Sequence, residues 1–150
     1  MDPLTLSIMQ GRLGVVSVRS FGAKGDGVTD DHEAIQRAIS SVSRGGQRKC
    51  LYFPQGTYLL GQSIDVDVSK IAALIGVGDS TVVVDSPDGI GFRLVGTHEG
   101  TANPSDPDTQ RIKYTEMGVL VSGLRIVGTT FATVGIEARQ VFGLSIGGCY

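Results

Sequence analysis

The chain is poor in cysteine, has no surplus of charge of one sign and lacks any long apolar run. Cys50 and Cys149 are too few for a disulfide framework, and no CxxC or Cys/His spacing marks a zinc site. Two reduced, buried thiols are expected, with no metal and no cofactor. Thirteen Lys and Arg stand against fifteen Asp and Glu, a formal net charge of −2, and the basic residues are scattered. Nucleic acid is therefore not the expected partner, since its phosphates call for a basic patch. The apolar stretches fall far short of the roughly 18 residues a membrane span needs. Met1 to Leu6 shows neither the basic nor the apolar region of a classical signal peptide.

What the chain has in excess is glycine. There are 22 glycines in 150 residues, about twice the ordinary usage of roughly 7%, and they form neither a collagen period nor a low-complexity tract. They punctuate runs of four to six residues rich in Val, Ile, Leu and Tyr, the pattern of a many-turned all-β chain. The length fits a single domain with a core of ordinary size.

Residues 1–14 are of mixed character, broken at Gln10-Gly11-Arg12, and read as a leader or anchoring segment. A regular pattern begins at Val15. After Val15 to Val18 come Gly22, Gly25 and Gly27, which imply tight turns, and then Asp30 and Asp31. Asp30 and Glu33 have the capping-box spacing, and Asp31 and Glu33 put negative charge in a first helical turn. Ala34, Ile35, Ala38, Ile39 and Val42 recur at helical spacing, and Gly45-Gly46 supplies a stop. The spacing predicts one amphipathic helix over about 31–43. Strand-like runs follow at 50–53, 57–60, 64–68, 71–75, 81–85, 91–95, 118–121, 124–127, 134–138 and 142–146. A polar, proline-containing loop over about 97–115 interrupts them, and long loops in compact domains tend to be functional or disordered.

Internal repetition decides among all-β folds. Val121-Ser122-Gly123-Leu124-Arg125-Ile126 and Val141-Phe142-Gly143-Leu144-Ser145-Ile146 match at an offset of 20 (143 − 123). Three strands of five to six residues with turns make one solenoid coil of roughly that length. On this spacing Leu124 stacks on Leu144 and Ile126 on Ile146, about 4.8 Å apart.

The stretch from Val18-Arg19-Ser20-Phe21-Gly22-Ala23-Lys24-Gly25-Asp26-Gly27-Val28-Thr29-Asp30-Asp31, through the helix and Gly45-Gly46, to Leu51-Tyr52-Phe53-Pro54-Gln55-Gly56-Thr57-Tyr58 resembles the N-terminal signature of the pectate-lyase superfamily. The resemblance is close over about residues 15–95. It implies an all-β fold with one N-terminal α-helix, the N-terminal part of a right-handed single-stranded parallel β-helix over 15–150, with the helix covering the open end. The same opening occurs in bacteriophage tailspikes and capsule depolymerases, in mannuronan epimerases and in some glucanases. By resemblance the expected partners are a polysaccharide, two further copies in a homotrimer and, through the N-terminal segment, a phage tail or baseplate protein. The location is a virion or the extracellular space, reached through assembly and lysis where no signal peptide directs export. The alternatives are a fragment of a secreted polysaccharide lyase, epimerase or glycosidase, and a non-catalytic structural β-helix module.

Candidate chemistry is sparse. Asp26, Asp30 and Asp31 form a carboxylate cluster, but turn formation and helix capping account for all three. Glycoside hydrolysis needs two carboxyls about 5 to 5.5 Å or 6.5 to 9.5 Å apart. At an offset of 20, Glu137 falls beside Met117, Glu116 beside Ile136, Arg125 beside Ser145 and Arg139 beside Val119, so no carboxylate pair forms. Catalytic residues are accordingly expected beyond Tyr150, and no substrate-binding residue is assigned. His98-Glu99 and Asp106-Pro107-Asp108 read as a solvated loop, Glu137 and Arg139 as outward surface residues. Tyr52, Phe53 and Tyr58 read as first-coil core packing rather than sugar platforms.

Overall fold

The computed structural model describes residues 14–43, 45–97, 105, 107, 110–111 and 115–150. Residues 1–13 of the expected leader and most of the 97–115 loop, including His98, Glu99, Asp106 and Asp108, lie outside the described residues, while Gly14 already belongs to the first strand.

Among the described residues, ten strands are laid down as successive parallel rungs on three faces. The chain runs β1 (Gly14–Ser17), a 3-10 turn (Val18–Phe21), β2 (Asp26–Asp30), α1 (His32–Ser40), β3 (Lys49–Phe53), β4 (Gly56–Leu60) and β5 (Ile64–Asp67). It continues with β6 (Ile71–Val84), β7 (Ile90–Val95), β8 (Val119–Gly128), β9 (Val134–Arg139) and β10 (Leu144–Gly147). The first face stacks β1, β3, the first half of β6, the first half of β8, and β10. The second stacks β2, β4 and the later halves of β6 and β8. The third stacks β5, β7 and β9. Every pairing is parallel and joins one coil to the next, which is the architecture of a parallel β-helix.

Alternation drives the faces inward. Val16, Leu51, Leu74 and Val121 are register partners and all are buried. Tyr58 and Val82 pair on the second face, Ile64 and Phe92 on the third. Each fully buried aliphatic or aromatic side chain stabilises by about 1.5 to 3 kcal/mol. Phe53 sits where the faces meet, edge-on to Tyr58 at 5.5 Å and to Phe92 at 5.8 Å between ring centroids. Phe53 and Tyr58 are thus core residues, and the Tyr58 hydroxyl donates to the Pro54 carbonyl at 2.6 Å.

The helix begins where the aspartates direct it but ends early. The N-cap residue is Asp31, whose side chain makes no cap bond, so the expected Asp30–Glu33 capping box does not form. Asp30 instead accepts from the His32 amide and the Gly61 amide, each at 3.0 Å, and ties the start of the helix to the corner after β4. Asp31 is buried and reaches back, accepting from the Lys24 and Gly25 amides at 2.7 and 3.0 Å. Asp26 holds its own turn through Val28 and Thr29. The helix stops at Ser40, short of the expected Gly45-Gly46, where the Val42 amide turns to the Ile39 carbonyl at 3.1 Å and the last turn tightens, with the Ser41 hydroxyl donating to the Ala38 carbonyl. Its apolar face, Ala34, Ile35, Ala38 and Ile39, is buried. Gln36 acts on the sheet itself. Its amide donates to the Asp65 carbonyl and its oxygen accepts from the Asp65 amide, at 3.0 and 3.3 Å. One side chain thereby stands in for a neighbouring strand on the otherwise unpaired edge of β5.

The 20-residue offset is wrong. Leu144 pairs with Val119 and Ile146 with Val121, an offset of 25 (144 − 119), whereas Leu124 pairs with Ser80 on the preceding coil. The two similar motifs straddle different corners. Gly143 precedes the first-face strand, and its equivalent is Gly118. Gly123 follows that strand, and its equivalent is Gly148. All four have positive φ. A Cβ on Gly123 would overlap the Gly76 carbonyl oxygen on the coil below, so both backbone conformation and close approach require glycine there.

Candidate functional site

The corrected register changes which side chains meet. On the third face Asp65, Arg93 and Glu137 are consecutive partners, as are Asp67, Val95 and Arg139. Glu137 is therefore beside Arg93, not Met117, and Arg139 beside Val95, not Val119. Arg125 lies beside Thr81, and Ser145 beside Leu120. Glu116 is off the ladders altogether.

Arg93 is the centre of the outward third face. Its guanidinium donates to Asp65 at 2.9 Å, to Asp88 at 3.1 Å and to Glu137 at 3.3 Å, and Glu137 in turn accepts from Arg139 at 2.5 Å. Asp88 also receives the Ile90 amide and the Ser63 hydroxyl. Those hydrogen bonds, the Ile90 amide first, hold its carboxyl down at about 2. Glu137 is held below the usual range chiefly by the Arg139 guanidinium and further by Arg93. A glycosidase acid must be protonated near neutral pH, which calls for a raised pKa. These carboxylates are shifted the opposite way, and a guanidinium occupies the space between Asp65 and Glu137. The arrangement can bind; it does not supply a proton donor.

A consequence for acid stability follows. Asp26 and Asp88 both fall from 3.8 to about 2 on folding, Asp26 through the amides of Thr29 and Val28. A carboxyl whose folded pKa is depressed contributes stability above its unfolded pKa and loses it as pH falls through the folded value. The melting temperature is expected to hold from about pH 7 to about pH 5 and to drop between about pH 4 and pH 2. Calorimetry across that range checks it, and a rise below pH 4 would contradict the network.

Beside this network lies a cleft of about 620 Å³ whose lining includes Asp65, Asp67, Arg93, Val95, Thr97 and Arg139. It opens at the foot of the long excursion between β7 and β8, and that excursion is fastened at its base. Glu116 is buried at 1% exposure and accepts from the Thr97 amide at 2.9 Å and from the Thr97 hydroxyl. Arg48 donates to the Met117 carbonyl at 2.9 Å and to the Ile71 carbonyl at 3.4 Å. Burial lowers the Arg48 pKa, and the nearby Glu116 charge opposes that shift. Sequence reasoning missed Arg48 and misplaced Glu116, which it set beside Ile136, since neither belongs to a strand ladder. The signal that could have found them is a lone Glu directly before a glycine-opened strand.

Among the described residues no group of three or more His, Cys, Asp and Glu is placed to hold a metal ion. Both cysteines are free; Cys50 is buried, which pushes its thiol up to about 12, and Cys149 is half-buried.

Comparison with known proteins places the chain in a family. Residues 15–129 match the family described as rhamnogalacturonase A/epimerase, pectate lyase-like, and the chain belongs to it. A glucan 1,3-beta-glucosidase of Cochliobolus carbonum is 47% identical over 57 residues, covering 32% of this chain and 7% of that protein. The preneck appendage protein of Bacillus phage PZA is 37% identical over 76 residues, covering 51% of this chain and 8% of that protein. A solved structure, Geobacillus virus E2 ORF18, superposes over 99% of this chain and 29% of its own with a TM-score of 0.69 at 26% identity. The chain therefore spans less than a tenth of these two curated relatives.

Proposed function

We propose that these residues form the N-terminal β-helix segment of a bacteriophage tail-associated protein, a tailspike or tail fibre that binds or degrades a host surface polysaccharide. In this reading the segment serves mainly as scaffold and attachment. The observation that carries it is the viral structure matching 99% of the chain at 26% identity. The phage appendage relatives support the same placement. The depressed carboxylates of the third face support a binding rather than a cleaving role here, with catalysis on coils beyond Tyr150. A homotrimer and a tail or baseplate contact through residues 1–14 belong to the same proposal.

The second reading is a segment of a secreted polysaccharide-acting enzyme, favoured by the 47% identity to a glucan 1,3-beta-glucosidase. Mass spectrometry separates the two. Peptides of this chain are expected in purified phage particles; their recovery only from the medium of a phage-free culture would favour the secreted enzyme. In a parallel assay, reducing ends are expected from host capsule treated with a longer natural polypeptide and not from the 150-residue chain. Cleavage by the 150-residue chain alone would overturn the scaffold role.

A further inference from the structure

We infer that the outward second face, from the notch beside Arg125 to the aliphatic ladder next to it, is a saccharide-binding track that grips one sugar unit through two neighbouring hydroxyls. The inference rests on the polysaccharide reading above and gives it a place and a mode of grip.

Two ladders of side chains point outward here. Thr57, Thr81 and Arg125 are successive register partners. Tyr150 adds the next rung: its amide donates to the Leu124 carbonyl at 3.3 Å and its carbonyl accepts from the Ile126 amide at 2.9 Å, which sets it opposite Arg125 in a parallel pair. Leu59, Val83 and Val127 form the second ladder, and all three are half-buried. A strand face turned only to water is usually polar, and the third face follows that rule with Asp65, Arg93 and Glu137. The second face departs from it on three consecutive rungs. Exposed apolar surface rimmed by polar groups marks a binding site. Three half-buried aliphatic side chains fall far short of the about 800 Å² per partner of a stable protein interface, so a small, flat ligand fits and a second subunit does not.

The notch follows from unequal corners. Between the same two rungs the second coil runs through four residues, Gly76 to Asp79, and the third through Gly123 alone. The longer corner stands out as a ledge and leaves a cleft of about 500 Å³ whose lining includes Asp79, Arg125 and Tyr150, within the usual size of a ligand pocket. Of the described arginines, Arg125 alone makes no hydrogen bond or ion pair; Arg19, Arg37, Arg48, Arg93, Arg111 and Arg139 each have a partner. Asp79 accepts from the Thr81 hydroxyl at 3.2 Å through one oxygen, and its other oxygen is unused. It does not pair with Arg125. An unpaired donor and a half-used acceptor in one cleft match two neighbouring sugar hydroxyls, one accepting from the guanidinium and one donating to the carboxylate. Tyr150, 83% exposed, and the aliphatic ladder offer surface to the C–H faces of sugar rings. With one charge of each sign in the cleft, the sugar needs none of its own.

The test is NMR of the 150-residue chain with methyl-labelled valine and ¹⁵N-labelled arginine. The probes are neutral trisaccharides of glucose, mannose and galactose units, with sorbitol, which has the hydroxyls but no ring, for comparison. At least one trisaccharide is expected to shift the Val83 and Val127 methyls and the Arg125 Nε–H signal saturably, while the Val95 methyls and the Arg93 Nε–H signal of the third face stay in place. Arg125→Ala and Tyr150→Ala are each expected to weaken that trisaccharide about tenfold, a gap of about 1.4 kcal/mol. Both side chains are exposed, so both variants should melt within about 2 °C of the parent chain. Unchanged affinity in both variants overturns the site, and sorbitol binding as tightly as the trisaccharide overturns the ring contact. Saturable shifts confined to other residues remove the second face and leave the polysaccharide reading standing. No shift with any probe removes the second face as well, and the capsule assay on the longer polypeptide then decides whether the wider reading falls with it.

Discussion

Replacing Phe53 with alanine is expected to cost about 3 to 5 kcal/mol of folding stability, the range for deleting a buried aromatic ring. At about 2 to 4 °C per kcal/mol for a chain of this size, the melting temperature should fall by roughly 6 to 20 °C. The reason is position. Phe53 is wholly buried and meets Tyr58 on the second face and Phe92 on the third, so its loss leaves a void between faces that cannot slide together without breaking their ladders. Phe131 provides the control. It is 73% exposed, and its alanine variant should change stability by less than about 0.5 kcal/mol. Urea melts of the two variants check this, and equal small losses would mean the interior is not packed as described.

Removing the Glu116 carboxylate should have the next largest effect. Glu116→Ala deprives the Thr97 amide and hydroxyl of their acceptor and leaves the partly buried Arg48 charge without its nearby anion. A hydrogen bond to a charged group is worth about 1.5 to 3 kcal/mol, so a loss of about 3 kcal/mol is expected. Much of this should appear as local opening, because the clamp joins the two ends of one excursion rather than one coil to the next. Hydrogen exchange at the Thr97 amide should quicken on the order of a hundredfold, with amides in β3 and β4 changing far less. Glu116→Gln keeps an acceptor and should recover part of the protection. Equal acceleration throughout the chain would show that Glu116 supports the whole fold instead of the excursion.

Some of this was legible in the sequence and some was hidden by its geometry. Strands such as Thr57 to Leu60 and Ile64 to Asp67 could be read because apolar residues recur in each, in alternation with Asp in the second, between turn residues. The helix could be read from Ala34, Ile35, Ala38 and Ile39. β2 escaped notice because Asp26-Gly27-Val28-Thr29-Asp30 buries no residue and pairs only through its backbone. The coil length was misread because any corner glycine followed by two alternate inward residues looks like any other. Gly118 with Gly143 and Gly123 with Gly148 carry the true offset. The Arg93 network could not be found from a fixed offset, since Asp65 precedes Arg93 by 28 residues and Glu137 follows it by 44.

Those unequal intervals have a consequence for how such a protein can change. Leu74 and Val121 lie 47 positions apart in the chain (121 − 74), Val121 and Ile146 only 25 (146 − 121), yet both pairs are single rungs of the same ladder. Loop-closure entropy grows only as the logarithm of length, so nearly doubling a coil costs about 0.6 kcal/mol. A lineage can therefore lengthen, shorten or exchange what hangs from a corner almost without penalty, provided the glycine at that corner and the inward residues beside it are kept. Diversity in what is recognised and constancy in what holds it are written in separate stretches of the same coil.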